Sequence, residues 1–597
     1  MVITKYSVNQ FQINSIIALI QMDNIAIPQI QRPFVWDSTK VRDFIDSLYK
    51  GYPVGYIITW QNPDVKLKDG MTSKGKEIII DGQQRVLSIM AALLGEKVID
   101  EDFKKKNITI AFNPDTEKFE VSNSAIVKDK SWIPDISVVF KPDFDLLQFL
   151  ENYCSQNVGV EKNKIFNNIS KLNGIQFNSI GIIQLNSDLD IETVTEIFIR
   201  INSKGAVLSQ ADFAMSKIAV DEKFGGNILQ KAINYFCHLA VEPSFYDMLK
   251  EIDKEFVKTD YFPKMAWLKD INDDLYDPSY TDMLRVSFTN KFKRGRLQDL
   301  VALLSGRNFE TKQYEEQIAE ESFKMLDDGI RTFMNQNNFL NFVMILNSAG
   351  FVDSSMIRSQ NAINFSYILY LTLKEQGMHQ GMIHSYVRKW FILSVLTGRY
   401  SGSPESQFDY DIKRINELSE NYINDVFRAE LSDAYWNFGL PQQMNSSLAN
   451  SPAFNVYLAA QIKNQDKGFL SRDILVSDLV KLKGDVHHIF PREYLKKYGY
   501  NKNMYNQIAN YVMAQSEINI AIGAKPPADY MKQIFEQCQT GILKYGAINS
   551  TEELRKNLEM NCIPEEIVDM DANHYSDFLE KRRFLMSQKI KRYFEIL

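Results

Sequence analysis

The sequence lacks the features that mark membrane, secreted and disulfide-bonded proteins. No stretch of its 597 residues approaches the run of about 18 apolar residues that a membrane span needs. Its first residues show no basic stretch followed by an apolar block and a cleavage site. The four cysteines are scattered without a CxxC pair, which argues against a zinc ribbon or a disulfide framework. We therefore predict a cytoplasmic protein without membrane association, with cysteines that serve packing.

An excess of positive charge is also missing. The formal net charge of -7 gives no global electrostatic reason to expect a nucleic acid partner. Between residues 481 and 502 the balance reverses, because six basic residues outnumber Asp485 and Glu493: Lys481, Lys483, Arg492, Lys496, Lys497 and Lys502. A solvated basic face is the alternative explanation for this local cluster.

The length and the changing pattern along the chain predict a multidomain α+β protein, because 597 residues are too many for one core. Residues 1–215 mix strand-like and helical patterns, as a compact α/β domain does. Residues 216–440 carry long amphipathic stretches such as NFSYILYLTLKEQG, which predict a helical middle domain. Residues 441–597 form the third predicted domain, and its final stretch, YSDFLEKRRFLMSQKIKRYFEIL, predicts a helix with a basic side.

Several elements of the first domain have clear local signals. In DSTKVRDFIDSLYKG the apolar residues recur at helical spacing, Asp37 or Ser38 can cap the start, and Gly51 can close the end. GYIITW and EIIIDG predict two short buried strands. The second strand ends in a turn at Asp81 and Gly82, after which QQRVLSIMAALLG predicts a helix.

This strand-to-helix junction, IIIDGQQR, has the composition of an anion site. The N-terminus of a helix favours a phosphate, Gly82 allows close approach of the backbone, and Arg85 can contact phosphate oxygens through two N–H groups. Asp81 could hold Mg²⁺ or orient a water. A structural turn in which Asp81 caps the helix is the alternative. No Walker A motif is present, so a P-loop NTPase is not implied.

Two of the six histidines are adjacent, His487 and His488, in GDVHHIFPREYL. Downstream, Asn510 and Asn519 flank a short strand-like run, and PPADYMKQIFEQC begins a helix with proline in its first turn. A histidine can deprotonate water at cellular pH, and a divalent ion can neutralise a leaving oxygen, so these residue types suit phosphodiester hydrolysis. Packing or surface histidines are the alternative.

The segment resembles the ββα-metal fold of HNH endonucleases, in which a histidine pair precedes Ile-x-Pro. By this resemblance His488 is the general base, His487 the first metal ligand, Asn510 the residue that braces the loop, and Asn519 the second metal ligand. The loop after Pro491 is longer than in compact HNH modules, so Asn506 is an alternative bracing residue.

The first domain resembles the N-terminal domain of GmrSD-type proteins, which is related to the ParB and sulfiredoxin fold. The resemblance rests on DGQQR, IPQIQRPFVW (27–36), GYPVGYIITW and EIFIRINSKGAVLS (196–209). It implies that nucleotide is bound and hydrolysed by residues of one pocket: Asp81, Gly82, Gln83, Gln84 and Arg85, with Gln31, Arg32, Arg200 and Asn202 as further members.

Together the two resemblances describe the architecture of GmrSD-like type IV restriction enzymes, which cleave modified phage DNA. They imply an HNH endonuclease that needs Mg²⁺ or Mn²⁺, is regulated by a nucleoside triphosphate and acts in anti-phage defence; self-association is left open. One alternative is a nucleotide-responsive DNA-binding or regulatory protein with an inactive HNH module. A nucleotide-using toxin that acts on protein is another, and it leaves the C-terminal motif unexplained.

Overall fold

A computed structural model describes most of the chain and divides it into two units. It describes residues 5–22, 24–26, 34, 36–61, 77–99, 105–187, 189, 193, 209–219, 221, 223–271, 275–482, 484 and 486–597. The first unit comprises residues 1–231 and 301–320, and the second comprises residues 232–300 and 321–597. Among the described residues, no helix is both long and apolar enough to cross a membrane.

The first unit is built on a five-stranded mixed sheet of order β1-β9-β3-β4-β2. β3 runs parallel to β9 and antiparallel to β4. Two further two-stranded sheets, β5-β6 and β7-β8, are formed by the segment between β4 and β9. The strands are β1 (Tyr6–Gln12), β2 (Ile25–Ala26), β3 (Tyr56–Gln61), β4 (Glu77–Asp81), β5 (Val98–Ile99), β6 (Lys105–Lys106), β7 (Ile110–Asn113), β8 (Lys118–Val121) and β9 (Ser179–Leu185).

Helices cover the apolar face of this sheet and share its core. Ile57, Ile79 and Ile182 from the strands belong to one buried cluster with Val41 and Ile45 from the second helix. The helices are α1 (Ile13–Gln21), α2 (Ser38–Tyr49), α3 (Gln83–Leu94), α4 (Ser124–Lys128), α5 (Leu146–Gln156), α6 (Lys162–Asn173) and α7 (Gln210–Ala219), with 3₁₀ turns at Ile136–Phe140 and Gly174–Phe177.

The predicted elements around the DGQQR motif are confirmed. The Asp37 side chain accepts a hydrogen bond from the Lys40 N–H and caps α2, as expected from the sequence. β3, β4 and α3 lie where GYIITW, EIIIDG and QQRVLSIMAALL predict them. Most of IPQIQRPFVW and nearly all of EIFIRINSKGAVLS lie outside the described residues.

After residue 225 the regular elements of the described chain are helices, apart from one short ribbon and two isolated β-bridges. The ribbon consists of β10 (Val486–His488) and β11 (Tyr511–Met513). The helices are α8 (Gly226–Val241), α9 (Phe245–Ile252), α10 (Lys254–Val257), α11 (Tyr261–Lys264), α12 (Tyr280–Phe292), α13 (Leu297–Leu304), α14 (Glu316–Met334), α15 (Gln336–Ser348), α16 (Gln360–Glu375), α17 (Gln380–Thr397), α18 (Pro404–Leu418), α19 (Glu420–Glu430), α20 (Leu440–Gln443), α21 (Pro452–Lys463), α22 (Val476–Lys481), α23 (Arg492–Lys497), α24 (Lys502–Tyr505), α25 (Ser516–Ile522), α26 (Pro527–Thr540), α27 (Thr551–Met560) and α28 (Tyr575–Ile596).

Shorter turns connect these helices. A π-helical turn spans Tyr435–Gly439, and 3₁₀ turns span Ala266–Asp270, Ser354–Met356, Ile508–Asn510, Glu565–Asp569 and Ala572–His574. The protein is therefore a mixed α+β chain, mostly helical, with a small sheet near its N-terminus. The three predicted domains, the ParB and sulfiredoxin relationship and the ββα-metal assignment stay predictions.

One helix of the second unit differs from the expected amphipathic pattern. α16 packs between α12 and α17, and all its side chains from Ala362 to Leu373 are buried. Its polar residues are satisfied inside the core: the Asn364 amide donates to the Asp282 carboxylate at 2.6 Å, and the Ser366 hydroxyl donates to the Ala362 carbonyl. A helix with such internal partners can be buried on every side.

Candidate functional site

The two adjacent histidines lie on the short C-terminal ribbon. β10 and β11 are antiparallel, with His487 opposite Val512 and His488 opposite Tyr511. Successive side chains of a strand point to opposite faces, but His488 is the last residue of β10, where the strand runs into the turn at Ile489 and Phe490, so both histidines can serve one site. α25 follows β11 and carries Asn519. The two predicted strands and the predicted helix that begins at Pro527 are present, but the segment predicted as a loop carries the short helices α23 and α24, and α25 precedes the predicted helix.

His488 is held by one hydrogen bond and by aromatic rings. Its Nε2 lies 2.9 Å from Oδ1 of Asn506, and its ring meets the Tyr511 ring edge-on with centroids 5.2 Å apart. Since an amide oxygen can only accept, Nε2 carries the proton, and the neutral ring keeps a lone pair on Nδ1. Burial is the main cause that lowers the pKa of His488 below its ordinary value, and the nearby Arg492 lowers the pKa further. The ring is therefore neutral, and able to accept a proton, at cellular pH.

Asn510 fixes the backbone that follows His488. Its side chain is fully buried; Oδ1 accepts from the Phe490 N–H at 2.8 Å, and Nδ2 donates to the carbonyls of Phe490 and Tyr505 at 3.1 Å each. The sequence left open whether Asn510 or Asn506 braces the loop. In the structure Asn510 ties the two loop ends together, and Asn506 contacts the imidazole itself.

Two residues that the sequence did not single out support this arrangement from behind. The hydroxyl of Tyr530, on α26, donates to the Ile489 carbonyl at 2.9 Å. Nη1 of Arg582, on α28, donates to the carbonyls of Ala509 and Tyr511 at 2.8 Å each. α28 was predicted as a helix with a basic side, but its Arg582 is fully buried, with backbone carbonyls that satisfy its guanidinium. The motif spacing of the sequence contains no signal for either residue.

The proposed metal ligands offer a sparse donor set. His487 and Asn519 are both partly exposed and supply one imidazole nitrogen and one amide oxygen. Across the described part of the chain, no group of three or more His, Cys, Asp or Glu residues is arranged to hold a metal ion. Two such donors would suit only an ion that keeps several waters and completes its coordination with a substrate phosphate, as Mg²⁺ does.

The basic residues near the ribbon are only partly neutralised. Arg492 and Lys496 both form ion pairs with Glu493. Lys497 and Lys502 are exposed at the ends of α23 and α24, and Lys481 is exposed on α22. Lys483 lies outside the described residues. Exposed lysines beside a candidate nuclease site are suited to phosphate contacts.

The DGQQR motif lies where β4 runs into α3. Gly82, and not Asp81, is the N-cap residue, with a φ of 95°. A Cβ atom at Gly82 would lie 3.1 Å from the Ile57 Cα on the neighbouring strand. Both the left-handed conformation and this close approach to Ile57 require glycine. The approach of a phosphate to this backbone stays a prediction.

Arg85 is held over the start of β3. Its Nη1 donates to the Tyr56 carbonyl at 3.1 Å and lies 3.4 Å from Oδ2 of Asp81. A Cβ atom at Gly55 would be 3.1 Å from Nη2, so the guanidinium rests against a position that only glycine leaves open. About a quarter of the Arg85 side chain stays exposed (26%), which leaves it accessible to an anion. The motif GYPVGY contains Gly55, but Arg85, which rests against it, lies 30 positions further along the chain, so the sequence did not reveal this contact.

Gln84 links the motif to an upstream segment. Its Oε1 accepts a hydrogen bond from the Trp36 N–H at 3.4 Å. Trp36 ends the IPQIQRPFVW segment, most of which is outside the described residues. The other predicted members of the pocket also lie outside them, and their roles stay predictions: Gln31, Arg32, Arg200 and Asn202.

The sequence was compared with protein families and with individual known proteins. Residues 13–219 match the family model of the GmrSD restriction endonuclease N-terminal domain. An uncharacterised protein from Methanocaldococcus jannaschii is 23% identical over 620 aligned positions, which cover 95% of this chain and 96% of that protein. The predicted resemblance of the N-terminal region is confirmed, and it supports a restriction-type endonuclease role. The resemblance of the C-terminal ribbon to HNH nucleases stays a prediction.

Proposed function

With a restriction-endonuclease N-terminal domain as the premise, we propose that the protein is a metal-dependent DNA endonuclease of the HNH type. We further propose that its N-terminal pocket binds and hydrolyses a nucleoside triphosphate and thereby regulates cleavage. The observation that supports the nuclease most directly is the His488–Asn506 contact on a ribbon that is followed by the helix bearing Asn519.

In this proposal His488 removes a proton from the attacking water. Nδ1 is the accepting atom, because Nε2 carries a proton that it donates to Oδ1 of Asn506. Asn510 keeps the following backbone fixed, so that the imidazole and the scissile phosphate meet in one geometry. His487 and Asn519 would hold Mg²⁺ or Mn²⁺, which supplies charge neutralisation at the leaving oxygen.

In the proposed nucleotide site, the phosphates bind at the N-terminus of α3. Gly82 lets a phosphate approach the backbone, and Arg85 supplies positive charge beside Asp81. Modified phage DNA is the substrate class that the family resemblance implies, and defence against phages is the proposed role.

The test is cleavage by the purified full-length protein. We expect metal-dependent nicking of plasmid DNA that EDTA stops, and His488→Ala should lower its rate by about 10² to 10⁴-fold, the usual effect of losing a general base. His574→Ala is the matched control, because His574 is an exposed histidine of the same unit. Plasmids with unmodified, glucosylated hydroxymethylated and phosphorothioate DNA should be compared.

Undiminished cleavage by His488→Ala would show that the base is elsewhere. DNA binding by the wild type without cleavage under any metal would favour the other class of function, a nucleotide-responsive regulator with an inactive nuclease module.

A further inference from the structure

The loop between α20 and α21 is attached to the chain around the candidate nuclease site. Its Ser446 carbonyl accepts a hydrogen bond from the Ile508 N–H at 2.8 Å, and its Ser447 carbonyl accepts one from the Tyr511 hydroxyl at 3.1 Å. The Tyr511 ring in turn meets the His488 ring edge-on, with centroids 5.2 Å apart. A single tyrosine side chain therefore separates this loop from the proposed general base.

Arg583, on α28, contacts the same loop. Its Nη1 donates to Oδ1 of Asn445 at 3.1 Å. Arg583 also lies near Tyr575: burial raises the pKa of the Tyr575 hydroxyl, and the positive charge of Arg583 opposes that shift. This hydroxyl donates to the Tyr505 carbonyl at 3.2 Å, directly before Asn506, which bonds to the proposed general base. Two separate chains of contacts therefore place Arg583 beside the site.

The charge of Arg583 has no carboxylate partner within the part of the chain that the structure describes. Glu580 precedes it by three positions on α28 but does not form an ion pair with it. Burial lowers the pKa of Arg583 below its ordinary value, while Glu580 raises it. A guanidinium has five N–H donors, and a partly desolvated cation without a counter-charge favours a bound anion.

The loop residues beside Arg583 are also suited to an anion. Asn445 and Ser447 are both exposed, and they offer an amide NH₂ group and a hydroxyl without adding negative charge. Arginine, asparagine and serine are among the residue types that contact the phosphates of DNA. Since the loop is one tyrosine away from His488, DNA bound at the imidazole passes close to these donors.

We propose that Arg583, together with Asn445 and Ser447, binds a backbone phosphate of the DNA close to the phosphate that is cut. Arg583 thereby holds the DNA over His488 and takes no part in the proton transfer. This inference rests on the proposed nuclease function, because it takes the DNA bound at His488 as the ligand.

The first experiment measures DNA affinity at several salt concentrations. The full-length His488→Ala protein, which leaves the duplex uncut, is compared with the same protein carrying Arg583→Gln. We expect Arg583→Gln to weaken binding about tenfold, the effect of losing a charged hydrogen bond. The plot of log affinity against log salt should become shallower by about 0.9, the slope that one phosphate contact contributes.

Two further variants show whether the charge itself matters. Arg583→Lys keeps the positive charge and should retain the salt slope of its parent. Arg592→Gln is the matched control, because Arg592 is an exposed arginine nine positions further along α28. It should change neither the affinity nor the slope.

Cleavage kinetics separate DNA binding from chemistry and from folding. In a protein that retains His488, Arg583→Gln should raise KM about tenfold and leave kcat unchanged, because the contact is the same in the ground state and the transition state. A purely structural role would lower the midpoint of urea unfolding without changing the salt slope.

The outcomes distinguish the two proposals. If the wild type cleaves DNA but Arg583→Gln has the same salt slope as Arg592→Gln, the phosphate contact is wrong and the nuclease proposal stands. A lower kcat at unchanged KM would also overturn the contact. If the wild type neither binds nor cleaves duplex DNA with any metal, the nuclease proposal fails and the phosphate contact fails with it.

Discussion

At His488, one hydrogen bond selects the ring nitrogen that carries the proton. Asn506→Ala removes the acceptor at Nε2, so the ring can populate the wrong tautomer and turn away from the phosphate. We expect single-turnover cleavage to slow by about tenfold to 100-fold while DNA affinity stays constant, a smaller loss than that for a general base.

Two further variants show whether Asn506 acts by positioning. Asn506→Asp keeps an oxygen acceptor and should restore most of the rate, which a purely structural role would not explain. Asn503→Ala, three positions upstream and exposed, is the matched control. Equal rates for Asn506→Ala and Asn503→Ala would remove Asn506 from the proposed mechanism.

The residue-level predictions from sequence succeeded where a motif has fixed spacing. The placement of His488 at the end of a strand, and of Asn510 and Asn519 around the next one, follows from HHIFP and the downstream asparagines. Asn506 could be named only as an alternative bracing residue, and its contact with His488 was not predicted, because the spacing between Pro491 and Asn510 does not fix the path of the chain. Arg582 could not be found at all, since its partners are backbone carbonyls, which leave no trace in residue identity.

Gly55, just before β3, leaves space for the side chain of Arg85 on α3. Gly55→Ala should push the Arg85 guanidinium away, because the added Cβ would lie 3.1 Å from Nη2. We expect nucleotide affinity, measured by calorimetric titration, to fall by about tenfold, the effect of a weakened charged hydrogen bond.

Gly51→Ala separates backbone strain from this displacement. Gly51 also has a positive φ, but nothing lies within 4 Å of its would-be Cβ. Both variants should lose some stability, and only Gly55→Ala should lose nucleotide. A matching loss of affinity in Gly51→Ala would mean that general strain, and not Arg85, explains the result.

α28 stabilises the ribbon through Arg582. In Arg582→Met the carbonyls of Ala509 and Tyr511 lose their donor inside the protein, and each unsatisfied buried group costs about 1–3 kcal/mol. We expect the free energy of unfolding of the second unit, from urea titration, to fall by roughly 2–4 kcal/mol. Lys581→Met, at the exposed neighbouring position, should be close to neutral. A change below about 1 kcal/mol for Arg582→Met would show that water or a shifted chain satisfies these carbonyls.

For the whole molecule, regulation by nucleotide must appear as a coupling free energy. If nucleotide changes DNA affinity by some factor, DNA must change nucleotide affinity by the same factor. We expect the nucleotide dissociation constant of His488→Ala to shift by about fivefold to 150-fold when DNA is added, the usual range of such couplings. Arg85→Ala should abolish the shift and alter cleavage. An identical dissociation constant with and without DNA would leave two independent activities in one chain.

At this scale the sequence predicted the class of architecture, while the bounds of the three predicted domains stay predictions. The strand-rich start and the helical remainder follow from periodicity, and both are present. The structure groups residues 301–320 with the first unit, although they lie within the range predicted as one helical middle domain. Periodicity reports which face of a helix is buried and not which core buries it, so this assignment cannot be read from the pattern.

Because residues 301–320 belong to the first unit, that unit cannot be completed during synthesis until part of the second unit has been translated. When residue 231 leaves the ribosome, that unit still lacks a piece that is translated only after the first stretch of the second unit. At roughly 5–20 residues per second, several seconds pass before the missing piece emerges. A gene fragment that stops at residue 231 encodes the first unit without residues 301–320, and we expect that polypeptide to be less stable and more prone to aggregate than the complete unit.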